Sequence, residues 1–169
     1  MPERAQSWTR WLWLSAVVVV LDFATKALVT DAFRYGEVRE ILPFFNLVLV
    51  HNTGAAFSFI AQAGGWQRWF FTAVAVVISV VLVWMLRKPD TNRLLSCGLA
   101  LVLGGALGNL HDRVTLGYVV DFVQVHAGGW YFPAFNVADS AITVGVVLLI
   151  WDSLHPAGPA PAAAPQEKP

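Results

Sequence analysis

Apolar residues dominate this chain in four long runs, at about residues 11–29, 69–86, 94–110 and 135–154. Crossing the hydrocarbon of a bilayer takes about 20 helical residues, and each run approaches that length with few charges or none. Four transmembrane helices are predicted. The first run is too long for a cleavable signal peptide and carries Asp22 and Lys26. No small-residue cleavage site follows it, so it is expected to remain as an anchor.

Between the first two runs the pattern changes. Residues 41–50, Ile-Leu-Pro-Phe-Phe-Asn-Leu-Val-Leu-Val, are rich in β-branched and aromatic side chains, which predicts one or two short strands. Asn52-Thr53-Gly54 then reads as a turn. A small sheet lying on the membrane should result, with 111–134 as a return loop containing Gly128-Gly129. The expected fold class is a mainly α membrane protein, a four-helix bundle with a small extracytoplasmic β-sheet. Residues 1–155 are expected to form one membrane domain. Residues 156–169, rich in Pro and Ala, cannot build a core and are expected to be disordered.

Composition agrees with a multispanning protein. Of 169 residues, 57 % are hydrophobic and only 13 % charged, about half the charged fraction of a soluble domain. The formal net charge of zero gives no support to nucleic-acid binding. The single cysteine, Cys97, excludes an intramolecular disulfide. Leu94-Leu95-Ser96-Cys97 has the outline of a lipidation box but lies mid-chain, where core packing explains it better. No internal repeat is visible.

Basic residues set the orientation. Arg4 and Arg10 precede the first run, and Arg87, Lys88 and Arg93 lie between the second and third. The positive-inside rule places both termini and that turn in the cytoplasm, with 30–68 and 111–134 outside. Arg34, Arg39, Arg68 and Arg113 on the outer side soften the bias without reversing it. Trp66, Trp69, Trp130 and Tyr131 fall where an outer aromatic belt would sit.

Against this background a few polar residues stand out. Asp121, within Val119-Val120-Asp121-Phe122, and Asp139, near the start of the fourth run, sit in apolar sequence without a basic partner in their own segments. Ionisable residues at membrane depth are costly and mark functional sites. Eighteen positions (139 − 121) separate them, enough for a return loop to bring both carboxyls to one depth. Asp22 and Lys26 share a helical face, either as a self-neutralising pair or with Asp22 bracing a site group. Gly104 and Gly108 form a small-xxx-small pattern that permits close helix packing. Asn109 lies one turn from Asp112 and Arg113, which reads as a helix-end network or a substrate-gripping guanidinium. Asn52 is polar amid apolar neighbours.

Two adjacent carboxyls cannot both ionise cheaply, so one keeps a proton while the other acts as base. Such a pair activates a water against a carbonyl and protonates the leaving nitrogen. Rival catalytic sets are weak: neither His-Glu-x-x-His nor Gly-x-Ser-x-Gly occurs, and the four histidines lack zinc-ligand spacing. No metal or other cofactor is expected. A transporter would need polar residues at both depths, whereas these cluster toward the outer face. Two further rivals are a Mg²⁺-dependent lipid enzyme, with Asp121, Asp139 and Asn136 as oxygen ligands, and a purely structural subunit.

Five blocks then resemble one family in order: Asp22-Phe-Ala-Thr-Lys26, Asn52-Thr-Gly-Ala-Ala-Phe57, Gly104-Gly-Ala-Leu-Gly-Asn109-Leu-His-Asp112-Arg113, Val120-Asp121-Phe122 and Phe135-Asn136-Val-Ala138-Asp139-Ser140. The chain is similar to signal peptidase II, the bacterial inner-membrane aspartyl peptidases that process lipoproteins. The resemblance implies four helices with an extracytoplasmic β-cradle and a short periplasmic return loop, and a catalytic pair of Asp121 and Asp139. It implies that Asp22, Asn52, Gly54, Asn109, Arg113, Asn136 and Ala138 bind substrate or hold that pair. Lys26, Gly108 and Asp112, in the same blocks, join them as candidates. The implied partners are prolipoproteins carrying a diacylglyceryl-modified lipobox cysteine, together with membrane lipids. A monomer is expected, with the segment from Asn52 to Phe57 as a clamp above the site.

Overall fold

In a computed structural model, residues 8–54, 65–88 and 92–155 are described. They form α1 (Thr9–Ala32), β1 (Val38–Leu42), β2 (Phe45–Asn52), α2 (Trp66–Leu86), α3 (Arg93–Thr115), β3 (Val119–Ala127), β4 (Trp130–Tyr131) and α4 (Val137–Leu154). The expected tail at 156–169, Arg4, and Ala55 to Phe57 of the clamp lie outside the described residues.

All four helices are long and apolar enough to cross a membrane. Apolar side chains on α2 and α4 point outward, Val77, Val80, Val147 and Ile150 among them, as lipid-facing helices require. Helix α3 is the buried centre, packed by α1, α2 and α4. Lipid removes the hydrophobic drive for helix association, so close backbone approach carries the packing. A Cβ on Gly98 would stand 3.0 Å from the Gly145 carbonyl oxygen, and one on Gly145 would stand 2.8 Å from that of Gly98. Gly104 meets α1 in the same way at Val18 and the Ser15 carbonyl, beside the Ser15 hydroxyl that donates to Ala100 O at 2.8 Å. At the opposite end from the sheet, Asn92 caps α3 by accepting from Leu95 N–H and donates to Asp152 of α4 at 2.6 Å.

The strands make one antiparallel meander in the order β1-β2-β3-β4. Leu49, Val120 and Phe122 seat this sheet on Val29 near the C-terminal end of α1. The return segment 111–134 holds more regular structure than its hydropathy announces. Helix α3 continues to Thr115, and β3 takes nine residues. Gly128 and Gly129, at φ 58° and 81°, form the two-residue turn into β4, where positive φ at both centres excludes most side chains.

One irregularity sets the face of β2. Leu47 pairs with Val123, but the next matched pair is Val50 with Asp121, so β2 spends one extra residue there. Uninterrupted pairing would set Asn52 against Tyr118, on the face away from Asp121. The bulge sets it against Val119 instead, on the Asp121 face. Farther along, Phe135 N–H donates to Val123 O at 2.9 Å and Phe135 O accepts from Val123 N–H at 2.8 Å. That bridge pins the start of α4 to β3.

Candidate active site

Asp139 occupies the third position of α4 because Asn136 caps the helix. Asn136 Oδ1 accepts the Asp139 N–H at 2.9 Å, and Asp139 Oδ2 accepts the Asn136 N–H at 3.3 Å. This reciprocal capping box holds the carboxyl at the positive end of the helix dipole. Asp121 arrives from β3, only 2 % exposed. Its Oδ1 accepts from Asn136 Nδ2 at 2.7 Å and its Oδ2 from Asn52 Nδ2 at 3.0 Å. Asn136, fully buried, therefore touches both carboxyls, one through its side chain and one through its backbone.

Asn52 faces Asp121 in a fixed sense. Gly54 N–H donates to Asn52 Oδ1 at 2.8 Å, closing a tight local turn that aims the NH₂ at the carboxylate. Gly54 has φ 105°, and a Cβ there would lie 2.6 Å from Phe71 Cε2. No other residue fits that position without strain.

Asn109 on α3 supplies the matching contact to Asp139, from Nδ2 to Oδ1 at 2.7 Å. Behind it lies Lys26, whose ammonium reaches Asn109 Oδ1 at 3.1 Å, Asp22 Oδ2 at 2.7 Å and Asp112 Oδ2 at 2.8 Å. The lysine does not snorkel to water; it is 4 % exposed. Lys26 is shared between Asp22 and Asp112 rather than neutralised by Asp22 alone, and Asp22 Oδ1 also accepts the Ala138 N–H at 2.9 Å and so braces the first turn of α4. Asp112 Oδ2 accepts the Val120 N–H at 3.2 Å, one residue before Asp121. Gly108 leaves room for this cluster: a Cβ there would come within 2.6 Å of Asp22 Oδ2. Gly105 does the same against the Ala138 carbonyl.

Arg113 donates to Asn109 O at 3.4 Å and lies with its guanidinium 5.3 Å from the centre of the Phe71 ring. It interacts electrostatically most with Asp139, then with Asp121 and Asp112. Asp121 itself is pushed up to about 7, first by burial and then by the Asp139 charge, against the pull of its two amide donors. A carboxyl in that range can hold a proton near neutral pH.

The twelve residues singled out in the sequence all converge here. Phe71, Gly105 and Phe135 were not among them. Phe71 lies in an apolar run and reads as a lipid-facing ring, and Phe135 acts only through its backbone. Among the described residues, no group of three or more His, Cys, Asp or Glu gathers as a metal site would.

The family model described as Signal peptidase (SPase) II matches residues 14–155. The lipoprotein signal peptidase of Burkholderia thailandensis is 53 % identical over 145 residues, covering 86 % of this chain and 87 % of that one. The lipoprotein signal peptidase of Paraburkholderia phymatum is 51 % identical over 145 residues, with the same coverages of 86 % and 87 %. A bacterial membrane enzyme solved by the in meso method at 1.9 Å aligns with a TM-score of 0.78 and 34 % identity, over 88 % of this chain and 95 % of that one. With its four spans, its sheet and this match along nearly its whole length, the chain belongs to the signal peptidase II family.

Proposed function

We propose that Asp121 and Asp139 are the catalytic dyad of this membrane-embedded aspartyl peptidase, which removes signal peptides from prolipoproteins. The observation that carries the reading is the shared asparagine. Asn136 binds one carboxyl at 2.7 Å by its side chain and the other at 3.3 Å by its backbone, so the two are held as a unit. One carboxylate takes a proton from water, and the oxygen attacks the scissile carbonyl. The other carboxyl protonates the departing nitrogen. Asn52, Gly54, Gly108, Asn109, Asn136 and Ala138 hold the pair, with Asp22, Lys26 and Asp112 behind them. Arg113, beside the dyad and over Phe71, is placed to meet a substrate carbonyl.

The substrate is a prolipoprotein with a diacylglyceryl-modified lipobox cysteine, cut immediately before that cysteine. A lipid-anchored peptide presents its scissile bond near the membrane surface, the depth of a carboxyl in the first turn of α4. Lipid chains reach it sideways between helices. Arg10, Arg87, Lys88 and Arg93 gather at the helix ends away from the sheet, which supports cytoplasmic termini, a site toward the extracytoplasmic face and residence in the bacterial inner membrane. The peptidase acts as a monomer, without metal.

A gel-shift assay in detergent with diacylglyceryl-modified prolipoprotein tests this. Wild type cleaves and is unaffected by chelator, while Asp121→Asn and Asp139→Asn each fold and fail. Cleavage by either variant removes that residue from the dyad. Dependence on added Mg²⁺ would overturn the metal-free reading.

A further inference from the structure

At the end of the bundle away from the sheet, cations outnumber carboxylates. Arg10 lies in the first turn of α1, Arg87 and Lys88 follow α2, and Arg93 begins α3. Among the described residues, the one carboxylate at this end is Asp152, which accepts from Asn92 Nδ2 at 2.6 Å. Indole rings keep three of the cations at the level of the helix ends. Arg10 lies 5.4 Å from the Trp11 ring centre, Arg87 5.2 Å from that of Trp8, and Lys88 4.0 Å from that of Trp84. Arg93 is exposed and forms no ion pair among the described residues. Arg10 and Arg93, from two different helices, line one open cavity of about 550 Å³ together with Trp11 and Leu14. Leu14 stands one turn from Arg10, about 6 Å deeper along α1 at 1.5 Å per residue. Trp11 packs against the buried cluster around Leu86 and Leu99, so this wall is fixed before anything binds.

We propose that this cavity binds an anionic glycerophospholipid of the leaflet on the far side from the dyad, with Arg10 and Arg93 meeting its phosphate and Trp11 and Leu14 its acyl chain. The inference goes beyond the peptidase reading and stands whichever carboxyls do the cleavage. A guanidinium offers a phosphate two parallel N–H donors, a fit that an ammonium lacks. Basic pockets between spans, at one face of a membrane, are sites of this kind for lipid headgroups. Inorganic phosphate would find the same two guanidiniums but leave the apolar part of the cavity unfilled. A phospholipid fills both parts, because cations and apolar walls follow one another along α1 in the order of headgroup and chain. Four cations against one carboxylate also select for net negative charge. The ammonium of a zwitterionic headgroup meets those cations with repulsion. The site has a mechanical consequence. Helices α1 and α3 meet at Gly104 and, nearer the sheet, carry Lys26 and Asn109. A lipid held by Arg10 of α1 and Arg93 of α3 adds a tie between the same two helices, so binding raises the melting temperature by mass action.

The test titrates the full chain in detergent with phosphatidylglycerol or with phosphatidylcholine of the same acyl chains. Native mass spectrometry reads the binding, and a thermal melt is run alongside. Phosphatidylglycerol should bind at least about fivefold tighter than phosphatidylcholine and raise the melting temperature more. Arg10→Gln and Arg93→Gln should each weaken phosphatidylglycerol about fivefold, and the double variant about 25-fold. Prolipoprotein cleavage in detergent stays at the wild-type rate in these variants, because both residues lie at the opposite end from the dyad. Where the double variant does not fold, the single variants carry the measurement. Arg34→Gln, which removes a cation between α1 and β1, leaves the affinity unchanged. Inorganic phosphate alone leaves the melting temperature where it was. Equal affinity for the two lipids would overturn the proposal, as would a loss from Arg34→Gln matching that from Arg93→Gln, which reduces the effect to bulk charge. Equal stabilisation by inorganic phosphate would remove the lipid as the ligand. None of these outcomes touches the dyad, which is tested by cleavage in Asp121→Asn and Asp139→Asn.

Discussion

Asp121 illustrates what a buried carboxyl costs its host. Burial and the neighbouring Asp139 push it up to about 7 in the fold, against about 3.9 in an unfolded chain. A carboxyl raised in this way favours the folded state when protonated. Its contribution is complete below about pH 4 and is lost as pH rises through about 7. At about 1.4 kcal/mol per unit, the swing is at most on the order of 4 kcal/mol. Wild type should therefore melt at lower temperature at pH 8 than at pH 5 in detergent, and Asp121→Asn should flatten that slope and melt above wild type at pH 8. An equal slope in the variant would place the titration elsewhere. Activity lost together with stability gained is the expected signature of a strained functional residue.

At the scale of elements, the site depends on how closely the helices approach. The Gly98–Gly145 seam lets α3 and α4 touch backbone to backbone below the dyad. Gly145→Val places methyl groups where the Gly98 carbonyl lies, and overpacking of this kind costs about 1–3 kcal/mol. A fall in detergent melting temperature is expected, with the pH optimum of the folded fraction unchanged; an unaltered melting temperature would mean that the seam can open freely. The four spans were legible from hydropathy to within a few residues at most ends. Strand β3 was not, because Val119, Val120, Asp121 and Phe122 are all buried and erase the alternation that marks a half-exposed strand. The bulge in β2 was equally hidden, since nothing local in Leu47-Val48-Leu49-Val50 distinguishes a bulged pairing from a regular one.

Across the whole molecule, the cations at one end and the sheet at the other make orientation measurable. With Cys97 replaced by Ala, a single cysteine at the exposed Glu40 should react with an impermeant maleimide on intact spheroplasts, and one at Lys88 only after permeabilisation. The reverse pattern would invert the topology and remove the site from the substrate's side of the membrane. Apolar and polar patterning alone singled out the candidate residues and the number of spans, because both follow from the cost of charges and open backbone in hydrocarbon. Wiring was decided only in three dimensions. Lys26 meets Asn109 across 83 positions and Asp22 meets Ala138 across 116. Such partners are chosen by which helix faces pack at a glycine seam, and by which sheet face a bulge turns inward. Local pattern carries no record of either, so the residues of the site were readable before the contacts that make them one.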